Sequence, residues 1–369
     1  MKKLGFGLMR LPLTNPDDNS SIDKEKTKEM IDLFMEEGFS YFDTAYVYHG
    51  GNSEKVFGEL VADRYPRDSF VVTTKMPVFN IKKAEEYPQI FNEQLKRCRV
   101  DYFDYYFLHA IDASSYKKIE EFDGFGFLSK MKAEGKIKHI GFSFHDTAEV
   151  LDMILNAHPE VELVQLQINY IDWEDEKVQS KKCYDVCIKH GVQIAVMEPL
   201  KGGALVNIPD KAKEILRKAE PSLGVASWGI RYAASLDKTI VVLSGMSNLK
   251  QLKDNISYMK DFIPYSESEY EAIKKVVKII NDSIEIPCTG CKYCIDNCPK
   301  NIAIPEYFEL YNNQCQFGLR DSIIQKFKNI SANRGKPSDC IKCGKCESHC
   351  PQHIKIRENL KSVASVFES

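Results

Sequence analysis

Eight short runs rich in β-branched and aromatic residues recur along the first two-thirds of the chain: LGFGLM (4–9), SYFDTA (40–45), FVVTTK (70–75), DYYFLHA (104–110), IKHIGFS (137–143), ELVQLQI (162–168), VQIAVM (192–197) and TIVVLS (239–244). Each reads as a strand. Between them the apolar positions switch to helical spacing. TKEMIDLFMEEG turns Met30, Leu33, Phe34 and Met35 towards one side and stops at Gly38, a C-terminal cap. SEKVFGELVADR starts with Ser53 in the place of an N-cap. Helical periodicity returns at 149–155, and NLKQLKDNI follows the eighth strand. Eight strand–helix units predict an α/β fold of the (β/α)8, TIM-barrel kind. A doubly wound sheet is the alternative. It usually has fewer strands and a glycine-rich turn after the first, whereas here the first strand runs into MRLPLTNP, with no G-x-G-x-x-G.

After residue 258 the pattern breaks at DFIPYSES, a helix follows in SESEYEAIKKVVKIIND, and Pro287 opens a region of different character. The expected organisation is a barrel over 1–262, a helical linker over 263–286, and a small C-terminal domain over 287–369.

Composition narrows the class. In 369 residues, 43% are hydrophobic, enough for one large core and a second small one. Lys and Arg number 50 against 53 Asp and Glu, so no basic excess calls for nucleic acid. No apolar run is long enough to span a bilayer. MKKLGFGLMRLPL raises the question of a signal peptide, but Arg10 and Pro12 break the apolar run and no small-residue cleavage site follows. The segment is read as the first strand and the protein as cytoplasmic.

Eight of the twelve cysteines fall in two runs, CTGCKYCIDNCP (288–299) and CIKCGKCESHCP (340–351). They form an internal repeat: Cys288, Cys291, Cys294, Cys298 and Pro299 match Cys340, Cys343, Cys346, Cys350 and Pro351, and Ile302 and Ile304 match Ile354 and Ile356. Such spacing points to metal rather than disulfides. Paired zinc knuckles are one reading, but zinc takes two separated pairs. The pattern C-x2-C-x2-C-x3-C-P resembles the two-cluster bacterial ferredoxins over residues 287 to 357. That resemblance implies two [4Fe–4S] clusters with crossed ligands: Cys288, Cys291, Cys294 and Cys350 on one, Cys340, Cys343, Cys346 and Cys298 on the other. It also shows a departure, a long insertion at 305–337 with a helix at DSIIQKFKNI. Cys98, Cys183, Cys187 and Cys315 read as small buried hydrophobes or stay unassigned.

In a TIM barrel, chemistry sits at the C-terminal ends of the strands. Strand two ends with Asp43, Tyr46 and Tyr48, strand three with Lys75, strand four with His109. With these residues in place, the chain resembles the aldo/keto reductases over residues 4 to about 258. Their D-x-A-x-x-Y motif matches DTAYVY, which gives Asp43 and Tyr48 the Asp and Tyr roles and leaves Lys75 and His109 to complete a tetrad. The resemblance implies carbonyl reduction. Tyr48 would donate a proton, its phenol pulled below the ordinary value of about 10 by Lys75. Asp43 would hold Lys75, and His109 would orient the carbonyl. Tyr46 reads as a pocket or packing residue.

The same resemblance implies a nicotinamide cofactor, NADP or NAD. Ser143 stands for the carboxamide, beside Phe144 where the family has Asn and His145 as a substitute. Gln165 matches an amide-binding Gln. Met197 takes the position of a stacking Tyr. Pro199, Leu200, Gly202 and Gly203 form a pyrophosphate loop, and Ser244, Gly245, Met246, Gln251, Asp254 and Asn255 an adenosine-phosphate segment. Gln251 is neutral where a 2′-phosphate grip usually lies. Arg10 reads as a structural ion-pair partner or as an anchor for a substrate carboxylate.

The leading expectation is therefore a nicotinamide-dependent oxidoreductase acting on a small carbonyl or alcohol and carrying two clusters. Hydride moves two electrons and a cubane passes one, which keeps a second reading open: an electron-transfer enzyme whose clusters feed a flavin or substrate in the barrel. No flavin motif is present. In a third reading the clusters only staple the small domain. Lys326, Lys328, Arg334, Lys336, Lys342 and Lys345 could dock an acidic redox protein or simply be solvated.

Overall fold

The computed structural model describes residues 1–295 and 298–369. The eight expected strands are all present: β1 (Leu4–Gly7), β2 (Tyr41–Asp43), β3 (Val71–Met76), β4 (Phe103–Ile111), β5 (Ile137–Phe144), β6 (Leu163–Gln167), β7 (Gln193–Met197) and β8 (Thr239–Ser244). They pair in sequence order, all parallel, and β8 closes on β1 through Leu4 opposite Val242 and Phe6 opposite Ser244. The inside is filled by Tyr41, Phe107, Leu163, Ala195, Val241 and Leu243, a cluster drawn only from strands. The one phenol in it is satisfied by Thr73, whose hydroxyl donates to Tyr41 Oη at 2.6 Å, as a buried polar atom requires.

Helices cover the outside. The first, Lys24–Glu36, buries Met30, Ile31 and Phe34. Phe34 packs within 5.2–5.4 Å, ring centre to ring centre, of Phe39, Phe42 and Phe6; burying such a ring contributes about 1.5–3 kcal/mol. Leu33 and Met35, expected on that face, are only half-buried, and Ile31 takes their share. Gly38 ends the helix as expected, at φ +77°, with its N–H on Met35 O. Ser53 does not cap its helix. Its hydroxyl instead faces Thr44 Oγ1 at 2.8 Å and donates to Leu8 O, joining β1 to the loop after β2.

One irregularity bears on function. Between β4 and β5 the register runs Leu108 opposite Phe142, then Ile111 opposite Phe144. Two residues of β4, His109 and Ala110, thus stand against one of β5, Ser143. This is a β-bulge in a parallel pair, where bulges are rare.

The chain divides into two compact units. The first holds residues 1–202 and 222–267, including the whole barrel; the second holds 203–221 and 268–369. The helix Glu267–Asp282, which begins in the expected linker, thus falls almost wholly in the second unit. The second unit has its own apolar centre, built from Ile302, Ile304, Tyr307, Phe308, Phe327, Ile354, Ile356 and Leu360. Its insertion contains two helices, Ile304–Phe317 and Asp321–Ser331, where the pattern suggested one. Among the described residues, no helix is long and apolar enough to cross a membrane.

Candidate active site and cysteine recesses

The strand ends bring the four predicted tetrad residues together. Lys75, on β3, is completely buried, and its Nζ donates to Asp43 Oδ1 at 2.6 Å, to Thr44 O at 2.9 Å and to Tyr48 Oη at 3.3 Å. All three ammonium protons are therefore placed. Burial works against the Lys75 charge, but Asp43 and then Tyr48 outweigh it and hold its pKa above the ordinary lysine value. Asp43 is steadied from the other side by Gln165 Nε2 on Oδ2, at 3.3 Å. Burial lifts the Asp43 carboxyl, while Lys75 and Gln165 pull it back.

Tyr48 departs from expectation in one respect. Burial raises its pKa above the usual phenol value, and Lys75 offsets only part of that rise. The phenol is a proton holder at neutral pH, with an ammonium beside it ready for the phenolate. Tyr46, the rival phenol, belongs elsewhere: its hydroxyl donates to Glu93 and the Arg97 guanidinium lies 4.1 Å over its ring.

His109 completes the group. Its ring sits 5.9 Å from that of Tyr48 and 5.5 Å from that of Phe79. Burial, then Lys75 and then His145, push its pKa down to about 3, so it is a neutral imidazole. Its Nδ1 is buried and has no hydrogen-bond partner among the described residues.

The residues assigned to a nucleotide fall into three places. Ser143 and Gln165 abut the tetrad. Ser143 Oγ accepts the Ala110 N–H at 2.7 Å, and Gln165 donates to Asp43 through Nε2. Phe144 is buried and paired with Ile111, so it does not stand in for an amide. His145 lines a recess of about 530 Å³ with Asp146, Gln167 and Lys177. Met197, Pro199, Leu200 and Gly202 lie on the β7 end and the loop after it, where Gly202 has φ +63° and Gly203 φ +89°. Ser244, Gly245, Met246, Gln251, Asp254 and Asn255 lie at the end of β8 and on the helix Leu249–Met259 that follows. There Asn255 Nδ2 donates to Ser244 Oγ at 2.7 Å, and Gln251 accepts the Ser247 N–H through Oε1. Arg10 makes no ion pair among the described residues, against the structural reading. Its stem lies along Gly245, and its carbonyl accepts from Ser247 Oγ.

A further network was missed from sequence. Asp172, buried in the loop after β6, accepts from Lys201 Nζ at 2.5 Å and from Gln167 Nε2 and Asn169 Nδ2 at 2.8 Å each. Asn169 Nδ2 also reaches Glu198 O. The loop after β7, strained at Glu198 (φ +56°) and Lys201 (φ +48°), is tied down through this carboxylate. The signal was the polar N-x-x-D directly after a strand.

In the second unit each recess is lined by three cysteines of one motif and the fourth of the other. Cys288, Cys291, Cys294 and Cys350 line one; Cys340, Cys343, Cys346 and Cys298 line the other; each encloses about 320 Å³. The quartets ring a volume rather than a point: among the described residues, no three His, Cys, Asp or Glu side chains are placed on a single metal ion. The walls are otherwise largely apolar, and Ile304 lines both recesses. The repeat extends to the backbone. The residues flanking the middle cysteine have positive φ in both motifs, Gly290 (+70°) and Lys292 (+67°) in the first, Lys342 (+59°) and Gly344 (+77°) in the second. Residues three past the last cysteine match as well, Asn301 at +52° and His353 at +50°. Successive turns of this kind direct backbone N–H groups into a concavity that suits an anionic cluster. Four thiols, an apolar wall and such turns fit an iron–sulfur cubane.

Comparison with known proteins agrees with this geometry. The aldo/keto reductase family profile matches residues 3–278. The chain belongs to that family. A 4Fe-4S dicluster domain profile matches residues 287–354. This aldo/keto reductase is 26% identical over 314 residues to a probable aldo-keto reductase 1 of Glycine max, covering 76% of this chain and 86% of that one. Among solved structures, the holo form of an aldo-keto reductase from Bacillus halodurans superposes with a TM-score of 0.57 at 21% identity, over 74% of this chain and 91% of that one. An aldo-keto reductase from Klebsiella pneumoniae, solved in complex with NADPH, gives a TM-score of 0.57 at 18% identity, over 74% and 90%. The chain is an oxidoreductase of this family with a C-terminal 4Fe-4S domain.

Proposed function

We propose that this reductase interconverts a small carbonyl compound and its alcohol with NADP or NAD, that Tyr48 is its acid/base, and that its C-terminal unit carries two [4Fe–4S] clusters. The observation behind the catalytic reading is the Lys75 ammonium held between Asp43 Oδ1 and Tyr48 Oη. The nicotinamide, when bound, supplies or accepts hydride at carbon. The remaining work is the chain's. Neutral His109 donates an N–H to the carbonyl oxygen. Tyr48 passes its proton to that oxygen as charge develops there. Lys75 stabilises the phenolate left behind, and Asp43 and Gln165 keep Lys75 aimed. Ser143 and Gln165 lie where an amide would be read; the loop after β7 and the segment after β8 would hold the phosphates. No cation stands at Gln251, whose side-chain oxygen is already engaged.

The test is Tyr48→Phe. Removing a positioned acid should lower turnover about 10²–10⁴-fold with nucleotide affinity little changed; substantial reduction by the variant would remove Tyr48 from the role. The pH profile follows from the shifts. Tyr48 must be protonated for reduction and its pKa lies above the ordinary value, so no alkaline loss is expected until that value is passed. His109 must be neutral and becomes charged only towards pH 3, so no acid limb near pH 6 to 7 is expected. Turnover should be flat through neutrality.

A second reading has its own observation. One cysteine of each quartet, Cys291 and Cys343, is exposed, which gives a one-electron carrier a route to each cluster. Anaerobic addition of NADPH or NADH distinguishes the two. Bleaching of the cluster absorption on the turnover timescale would favour electron transfer, with a flavin or another splitter between. Carbonyl reduction without bleaching would leave the clusters structural or tied to another partner.

A further inference from the structure

The bulge in β4 is placed at the tetrad histidine. A regular parallel ladder would carry β4 past β5 one residue for one. Instead His109 and Ala110 share the single position opposite Ser143. Ala110 takes φ +56° to achieve this, a left-handed conformation that strains a non-glycine residue. The extra residue displaces the Ala110 N–H from the ladder. Ser143, almost completely buried, supplies the missing acceptor through Oγ at 2.7 Å. The ladder then resumes, with Ile111 opposite Phe144 and the His145 N–H on Ile111 O. The bulge is thus bracketed by backbone pairing on both sides, and its centre is held by one side chain.

Bulges re-aim a side chain next to an active site. Here the residue they re-aim is His109, whose own Nδ1 has no hydrogen-bond partner among the described residues. Nothing bonded to that nitrogen fixes the orientation of the imidazole; packing by Phe79 and Tyr48 and the course of the backbone at 109–110 must do so. We propose that Ser143 is a positioning residue for His109. Its hydroxyl oxygen stabilises the strained bulge that turns the imidazole into the barrel mouth, separately from any contact its hydroxyl proton makes with a nucleotide. One oxygen can do both, since a hydroxyl accepts through its lone pairs and donates through its proton.

The inference rests on the proposed role of His109, and the experiment separates the two. In Ser143→Ala protein free of nucleotide, the imidazole ¹⁵N and ¹H resonances of His109, assigned by their loss in His109→Gln, should move or broaden relative to wild type. That readout holds whatever reaction the chain catalyses. In turnover assays kcat should fall about 10- to 100-fold, as expected for a misplaced group, with the Kd for NADPH or NADH changed on the order of 2-fold. The opposite split overturns the proposal: kcat and the His109 resonances preserved, and the nucleotide Kd weakened, would make Ser143 a nucleotide contact only. Ser143→Cys covers the case in which the alanine variant does not fold. Its near-isosteric thiol is a weak acceptor, and intermediate changes in the same two readouts are expected; wild-type resonances with wild-type kcat in this variant would also overturn the proposal.

Discussion

The tetrad and the cysteine recesses handle buried charge in opposite ways. In the barrel, Lys75 and Asp43 lie 2.6 Å apart and neutralise each other, with Thr44, Tyr48 and Gln165 taking up the remaining valences. In the recesses, burial and then neighbouring thiols push Cys294 up to about 12, and burial, Glu347 and other thiols push Cys346 up to about 11. Left to itself the chain keeps those thiols protonated, and under the proposed ligation iron would take the place of their protons. The barrel site is finished by folding. The recesses are finished by their cargo. The difference also sets the kind of residue that matters around each: hydrogen-bond partners from distant strands in one, backbone turns next to the ligands in the other.

The largest effect that would test this contrast is in the recesses. Cys298→Ser should remove about half of the iron, and Cys343→Ser should do the same, because both line one recess. The double variant should lose no more than either alone, as expected when two changes remove one interaction, whereas Cys298→Ser with Cys291→Ser should lose nearly all. Iron per chain decides it; additive loss for Cys298 and Cys343 would break the crossed arrangement. Next comes the barrel pair. Asp43→Ala leaves a buried ammonium alone and should cost about 3–5 kcal/mol, against less than about 1 kcal/mol for Asp185→Ala, whose partner Lys181 is solvated. Both tryptophans, Trp173 and Trp228, lie in the barrel unit, so their fluorescence in denaturant reads that unit alone. The smallest effect concerns the turns. Lys342→Gly should stabilise the loaded C-terminal unit by about 0.5–1 kcal/mol by relieving a left-handed lysine, and Gly344→Ala should destabilise it by about 1–2 kcal/mol. Cluster absorption during unfolding checks both.

Legibility in the sequence divides along the same line. The recesses were readable because cysteine spacing is a local constraint, and each recess is lined by the quartet that the ferredoxin resemblance implied. The strands were readable because each is a short apolar run. Strand ends offered Asp43, Tyr46, Tyr48, Lys75 and His109, and the family resemblance picked out Tyr48 rather than Tyr46. What depends on neighbouring strands did not show. The bulge at His109 and Ala110 is a mismatch of register between β4 and β5, and neither strand's sequence marks it. Ser53 looks like a cap by composition, yet Thr44 and Leu8 claim its hydroxyl. The direction of the Tyr48 shift depends on burial outweighing Lys75, a balance set by packing. Asp172 was passed over because its charge partner, Lys201, comes from a different loop.

The crossed lining of the recesses bears on how this unit is made. During synthesis, the motif at 288–298 remains one cysteine short until Cys350 has left the ribosome, whereas the recess of the second motif finds Cys298 already made. Neither half is a self-sufficient module. Each motif instead hands one cysteine to the other's recess, and the matched turns around Cys291 and Cys343 give the two halves the same local plan within one chain.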